Sequence, residues 1–71
     1  MRRMIRLDSR GHGTIAEWNS KDSAAAKAIF DKHVVQGFAM FRIDGPGETQ
    51  MISAFDPEAT AILAVPRFVG G

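Results

Sequence analysis

One stretch of the chain, residues 23–36, has the pattern of an amphipathic helix, and every other apolar run is short enough to be a strand. The stretch is rich in alanine and contains no proline or glycine, which favours a helix. Its apolar stripe, at three- and four-residue spacing, consists of Ala26, Ile29, Phe30 and Val34, with His33 at the margin. One helix cannot bury such a stripe alone, so the rest of the chain must supply a layer for it to cover.

The two ends of this helix carry recognisable signals. Ser20 or Asp22 is expected to cap the start, since either side-chain oxygen can accept from a free backbone N–H. Gly37 follows the last helical residue and predicts a left-handed C-terminal cap. Lys27 and Asp31 face water, but the acid follows the base, which is the weaker order for an ion pair on a helix.

Five strand-like runs surround the helix, at residues 4–8, 14–18, 38–43, 49–55 and 60–65. The first alternates apolar and polar residues, which is typical of a half-buried strand. The third and fifth are apolar on both faces, which predicts central strands. Glycine- or proline-bearing turns separate the runs at residues 9–13, 44–48 and 56–59. The sequence predicts an α+β fold of order β-β-α-β-β-β, with a mixed sheet of four to five strands packed on one helix.

The composition limits the class of protein. Seventy-one residues form one domain, and a chain of this length buries only roughly 60% of its unfolded surface. There is no cysteine to make a disulfide, while 45% apolar residues are too many for a disordered segment. A net charge of +1 argues against nucleic-acid binding by charge alone. With no apolar run of membrane-spanning length and no secretion signal, a cytoplasmic protein that does not enter membranes is expected.

An arginine cluster lies near the start of the chain, at Arg2, Arg3, Arg6 and Arg10. These side chains could contact phosphates or an acidic partner. Alternatively, they solvate an edge strand, where charge discourages sheet-to-sheet aggregation. The second interpretation is favoured.

The chain shows no constellation of catalytic residues. His12 is expected in a turn and His33 on the helix, and neither has a partner at metal-binding spacing. The loop containing Gly11 and Gly13 has no third glycine and no following Lys-Ser/Thr, so it does not match a phosphate-binding loop. No enzyme activity, metal or cofactor is therefore predicted.

The face of the sheet away from the helix is a possible partner surface. Trp18, Met51 and Phe55 are its candidate members. Trp18 has a second interpretation as a core anchor, which is the commoner role of a tryptophan at a strand end.

The segment after the last strand differs from the rest. Pro66 removes a backbone donor and should end the strand, a short spacer with Arg67 and Phe68 follows, and Gly70-Gly71 completes the sequence. Two glycines without side chains can pass through a narrow enzyme slot.

With this diglycine, the hairpin, the helix and the later strands, the chain resembles the ubiquitin-like β-grasp proteins. The tail looks like that of prokaryotic sulfur carriers, such as the small subunit of molybdopterin synthase and the thiamine sulfur carrier. The resemblance implies a single ubiquitin-like domain over residues 1–71, with residues 66–71 as a flexible tail. Gly71 would be adenylated by an activating enzyme that binds the ATP, and Gly70 would allow close approach.

Arg67, Phe68 and Trp18 are the candidate contacts for a partner protein. That partner could also be a conjugating enzyme or a Gly-Gly-specific protease. The alternative is a small structural or interaction module of a phage particle or another larger assembly, suggested by the marginal core with apolar residues on both sheet faces.

Overall fold

The computed structural model describes residues 1–8 and 11–66. The elements are β1 (Arg2–Asp8), β2 (Gly11–Trp18), α1 (Ala24–Val35), β3 (Phe38–Gly45), β4 (Glu48–Ile52) and β5 (Ala61–Pro66). The fold is α+β and has the predicted order of elements, with one helix and a mixed sheet of five strands in the part of the chain that is described.

The sheet has the strand order β2-β1-β5-β3-β4. β1 is antiparallel to β2 and parallel to β5, while β3 is antiparallel to both β5 and β4. The last strand is therefore the central one, as its apolar residues on both faces predict. β2 and β4 form the two edges.

The helix is one residue shorter at each end than the sequence pattern indicates. Ser23 occupies the N-cap position without a side-chain cap hydrogen bond, so the expectation that Ser20 or Asp22 caps the helix is wrong. The backbone N–H of Asp22 instead donates to the carbonyl oxygen of Asn19 at 3.0 Å. Gly37 has φ of +94° and donates to the carbonyl oxygen of Val34 at 3.0 Å, which confirms the left-handed C-terminal cap.

The core lies between α1 and one face of the sheet. Ala26 and Phe30 of the helix pack there against four sheet residues with almost no exposed surface, Met4, Met40, Ile62 and Ala64. Ala26 and Phe30 confirm the predicted stripe, and Ile29 is half-buried beside them. Val34, at the margin, is 38% exposed.

The segment between β4 and β5 turns into this core instead of continuing the sheet. β4 ends at Ile52, three residues before the predicted end. Phe55 leaves the sheet and makes edge-to-face contacts with Trp18 and Phe30, at centroid distances of 5.2 and 5.7 Å. The segment covers the helix side of the sheet, so that, in the described part of the chain, the sheet has one covered face and one face without a helix.

Candidate functional site

The strand that leads to the diglycine ends at a defined place in the sheet. Pro66, expected to begin the tail, is the last residue of β5 and pairs with Phe38 at the start of β3. The predicted site residues Arg67, Phe68, Gly70 and Gly71 lie outside the described residues. The described part of the site is therefore the end of the sheet around Pro66.

Aromatic and basic side chains surround Phe38 at this end. The guanidinium carbon of Arg6 lies 5.7 Å from the centre of the Phe38 ring, within the range of a cation–π contact. The ring of His33 meets the same phenyl ring edge to face at 4.9 Å. Arg6 also lies 3.8 Å from a carboxylate oxygen of Asp8. Near Pro66, the rings of Phe38 and His33 therefore lie beside one cation, Arg6, which is paired with Asp8.

His33 is buried, with 6% of its surface exposed, and does not lie at the helix edge as expected. Its Nδ1 is 2.8 Å from the carbonyl oxygen of Ile29. Because a carbonyl oxygen only accepts, Nδ1 carries a proton in this hydrogen bond. Nε2 is buried and has no hydrogen-bond partner among the described residues. His33 therefore packs as a core residue and does not face a substrate.

The second histidine is also placed differently from the prediction. His12 belongs to β2, opposite Leu7, and not to a turn. It is exposed. Within residues 1–8 and 11–66, no group of three or more acidic or histidine side chains could hold a metal ion.

Trp18 is the clearest correction among the predicted partner contacts. It is only 2% exposed, and its indole N–H donates to the carbonyl oxygen of Pro57 at 3.0 Å. The core-anchor interpretation is confirmed, and the expectation that Trp18 and Phe55 lie on the uncovered face is wrong. Met51 does lie there, opposite Phe41, and is 54% exposed.

The uncovered face carries a row of apolar side chains across the sheet. Cross-strand pairing aligns Ile5 with Leu63, Leu63 with Phe41, and Phe41 with Met51. Three further apolar residues share this face by alternation: Leu7, Ile43 and Val65. Except for Met51, these side chains are half-buried. A sheet face that meets only water is usually polar, so this row is a candidate interaction surface.

Arg10 of the arginine cluster lies outside the described residues, and the three described members do not form one basic patch. Alternation along β1 places Arg2 and Arg6 on the covered side and Arg3 on the uncovered side, opposite Glu17. Arg2 lies 3.6 Å from Glu58. Division between two faces and pairing with acids favour the interpretation of these arginines as solvated edge charges.

Arg42 joins two carboxylates in one ionic cluster. Its Nε donates to both carboxylate oxygens of Asp44, at 2.7 and 3.0 Å, and Nη1 donates to Asp56 in the loop before β5. The hydrogen bond to Asp44 is the largest cause that raises the pKa of Arg42, against a smaller lowering by desolvation. Because Asp56 lies in the loop before β5 and Arg42 in β3, the cluster ties that loop to the sheet.

Comparison of the chain with protein-family models, with curated proteins and with solved structures gives no match in any of the three. Among the described residues, no helix is long and apolar enough to span a membrane.

Proposed function

We propose that this protein is a ubiquitin-like modifier or a sulfur-carrier-like protein, whose Gly71 carboxylate is activated by a partner enzyme. It has no catalytic chemistry of its own in this proposal. The partner binds the ATP, and the protein contributes a compact body and a slender reactive end.

The topology of the sheet is the observation that carries the proposal. Two hairpins, β1–β2 and β3–β4, lie on either side of β5, and one helix crosses the face that they share. A sheet that holds one helix in this way supports assignment to the β-grasp fold. The central strand of that sheet leads directly into the spacer and Gly70-Gly71.

The chemistry that the resemblance implies is simple. The Gly71 carboxylate attacks the α-phosphorus of ATP, pyrophosphate leaves, and an acyl adenylate forms. A sulfur donor or an amine then displaces AMP, giving a thiocarboxylate or an amide. Gly70 and Gly71 present no side chain to the slot in which this happens.

In this proposal, the length of the tail limits where a partner can bind. Five residues follow Pro66, and a fully extended chain covers at most about 3.3–3.6 Å per residue, so Gly71 lies within roughly 18 Å of Pro66. An activating enzyme must therefore approach the end of the sheet where Phe38 and Arg6 lie. Arg67 and Phe68 are the proposed contacts within the tail. Trp18 is not a proposed contact, because its side chain is buried.

Mass spectrometry after incubation with candidate activating enzymes and ATP tests the proposal. The expected products are an adenylate, and then a thiocarboxylate or conjugate, on Gly71. Deletion of Gly70 and Gly71 should abolish them. Gly13→Ala is the matched control, because a Cβ at Gly13 meets nothing within 4 Å and should leave activation unchanged.

Two results would contradict the proposal. One is the absence of any modification on Gly71 with every candidate enzyme. The other is an intact mass, measured on the mature protein from its natural source, that places further residues after Gly71.

The uncovered apolar face favours a second candidate, a structural or interaction module of a larger assembly. Leu63 and Phe41 pair with each other near the middle of that face, on β5 and β3. A module that assembles through them should assemble equally well without Gly70 and Gly71. A modifier loses its activity in the same deletion.

A further inference from the structure

The two edges of the sheet are built differently. β2 contains Gly11 and Gly13, and its pairing with β1 is irregular opposite Met4 and Ile5, where β2 holds one extra residue. Bulges and glycines of this kind disturb an edge and hinder pairing with another strand. β4 pairs with β3 in regular register from Thr49 to Ile52, and the register shift of this pair lies at its end, between Ile43 and Gly45 of β3.

The residues of β4 also lack the usual protection by charge. Its five residues include no proline, glycine, lysine or arginine, and Glu48, at one end, is the single charged side chain. An apolar cleft runs beside this edge and is lined by Val34, Phe38, Met40, Met51 and Ile52. An exposed and regular edge beside apolar surface is a template for another strand.

The sequence of β4 allows it to pair with a second copy of itself. In a strand, the N–H and C=O groups of one residue point to one edge, and those of the next residue point to the other edge. Residues that face each other in an antiparallel pair must both point these groups toward the partner strand or both away from it. In a pair of identical strands, the two-fold axis therefore passes between one residue and its own copy. An axis at Gln50 pairs all five residues of the strand. Axes at Thr49 or Met51 pair only three, so Gln50 gives the most complete ladder.

The charges and side chains are compatible with this register. Each Glu48 lies opposite Ile52 of the other copy, and four residues of strand separate the two carboxylates by about 13 Å. That distance exceeds the Debye length of about 8 Å in physiological salt, so their repulsion is screened. Met51 lies opposite Thr49, and the two Gln50 amides meet side by side, where each can donate to and accept from the other.

We propose that the chain forms a symmetric dimer by antiparallel pairing of β4 with β4 around Gln50, which joins two sheets into one of ten strands. β5 runs parallel to β4, since both are antiparallel to β3. The two-fold axis therefore directs the two β5 strands to opposite ends of the joined sheet. The dimer leaves both Pro66 ends accessible and does not depend on the function proposed above.

Sedimentation velocity of the full chain, from low micromolar to millimolar concentration, tests the dimer. We expect a concentration-dependent species of twice the 7.7 kDa monomer mass. Gln50→Lys and Gln50→Glu each place two like charges directly opposite one another and should each weaken dimerisation by at least tenfold. An equimolar mixture of the two variants should restore it, because the opposed charges then attract.

The matched control is His12→Lys, which adds a charge to an exposed residue of the other edge strand and should not change dimerisation. Circular dichroism verifies that each variant is folded. A wild-type chain that remains monomeric throughout overturns the proposal and leaves the edge to the strand of a different partner. Dimers that persist in both single variants, or a mixture that fails to restore them, also overturn it.

Discussion

The two faces of the sheet have similar apolar content in the central strands but very different burial. Along β5, Ile62 and Ala64 point toward α1 and have no exposed surface, whereas their neighbours Leu63 and Val65 point away and are only half-buried. The same contrast separates Met4 from Ile5 in β1. The position of the single helix, and not the residue type, therefore determines which apolar side chains contribute most to stability.

The largest expected loss in the free energy of unfolding is at Trp18, where the covered side of the sheet meets the loop before β5. Trp18→Ala removes the ring that packs on Phe55 and leaves the carbonyl oxygen of Pro57 without its donor. Large aromatic truncations in a core cost about 3–5 kcal/mol. A 71-residue domain has a free energy of unfolding of only about 4–10 kcal/mol. Urea denaturation should show a largely or wholly unfolded variant.

Met51→Ala is the control for Trp18→Ala on the other face. Met51 is a large apolar residue that is 54% exposed, so its truncation should change the free energy of unfolding by less than about 1 kcal/mol. A Trp18 variant as stable as the Met51 variant would show that the covered side does not hold the fold together.

A sharper comparison uses two adjacent residues of one strand. Ile62→Ala leaves a cavity beneath α1 and should lower the free energy of unfolding by about 2–5 kcal/mol. Leu63→Ala removes a similar volume from the uncovered face and should cost about half as much, because solvent already reaches the side chain. Both values come from urea denaturation at one low protein concentration.

If Ile62→Ala and Leu63→Ala lower the free energy of unfolding equally, the two faces do not differ in burial as described. That result would mean that something covers the uncovered face in solution. Repeating the measurement at high concentration would then show whether a second copy is responsible, since the cost at Leu63 would rise with concentration.

Much of this architecture is visible in the sequence, because strand and helix periods are local properties. The run at residues 60–65 is apolar on both faces, and that feature alone predicts its central place in the sheet. Gly37 similarly marks the end of α1, since a left-handed residue is needed there.

Trp18 could not be placed by alternation because of the irregularity in β2. Counting in steps of two from Thr14, which pairs with Ile5 on the uncovered face, puts Trp18 on that same face. The extra residue at Ile15 reverses the alternation, so Trp18 pairs with Arg2 on the covered side. A one-residue bulge carries little sequence signal, and it moves every side chain after it to the other face.

The predicted position of Phe55 is wrong for a different reason. Its predicted face assumes that β4 continues to residue 55, but the ladder stops at Ile52 and the chain turns toward Trp18. The turn is held by long-range contacts, from Trp18 to Pro57 and from Arg42 to Asp56. Contacts between residues distant in sequence are absent from a local pattern.

The smallest expected change in the free energy of unfolding is on the solvent side of α1. There Lys27 Nζ lies 2.7 Å from a carboxylate oxygen of Asp31. The contact is short although the order of base and acid is the less favourable one. Both side chains are more than half exposed, so water and salt screen the pair, and alanine is itself a better helix former than lysine. Lys27→Ala should therefore change the free energy of unfolding by no more than about 0.5 kcal/mol. A double-mutant cycle with Asp31→Ala measures the coupling directly, and a coupling above about 1 kcal/mol would show that the outer side of the helix contributes as much as an exposed part of the sheet.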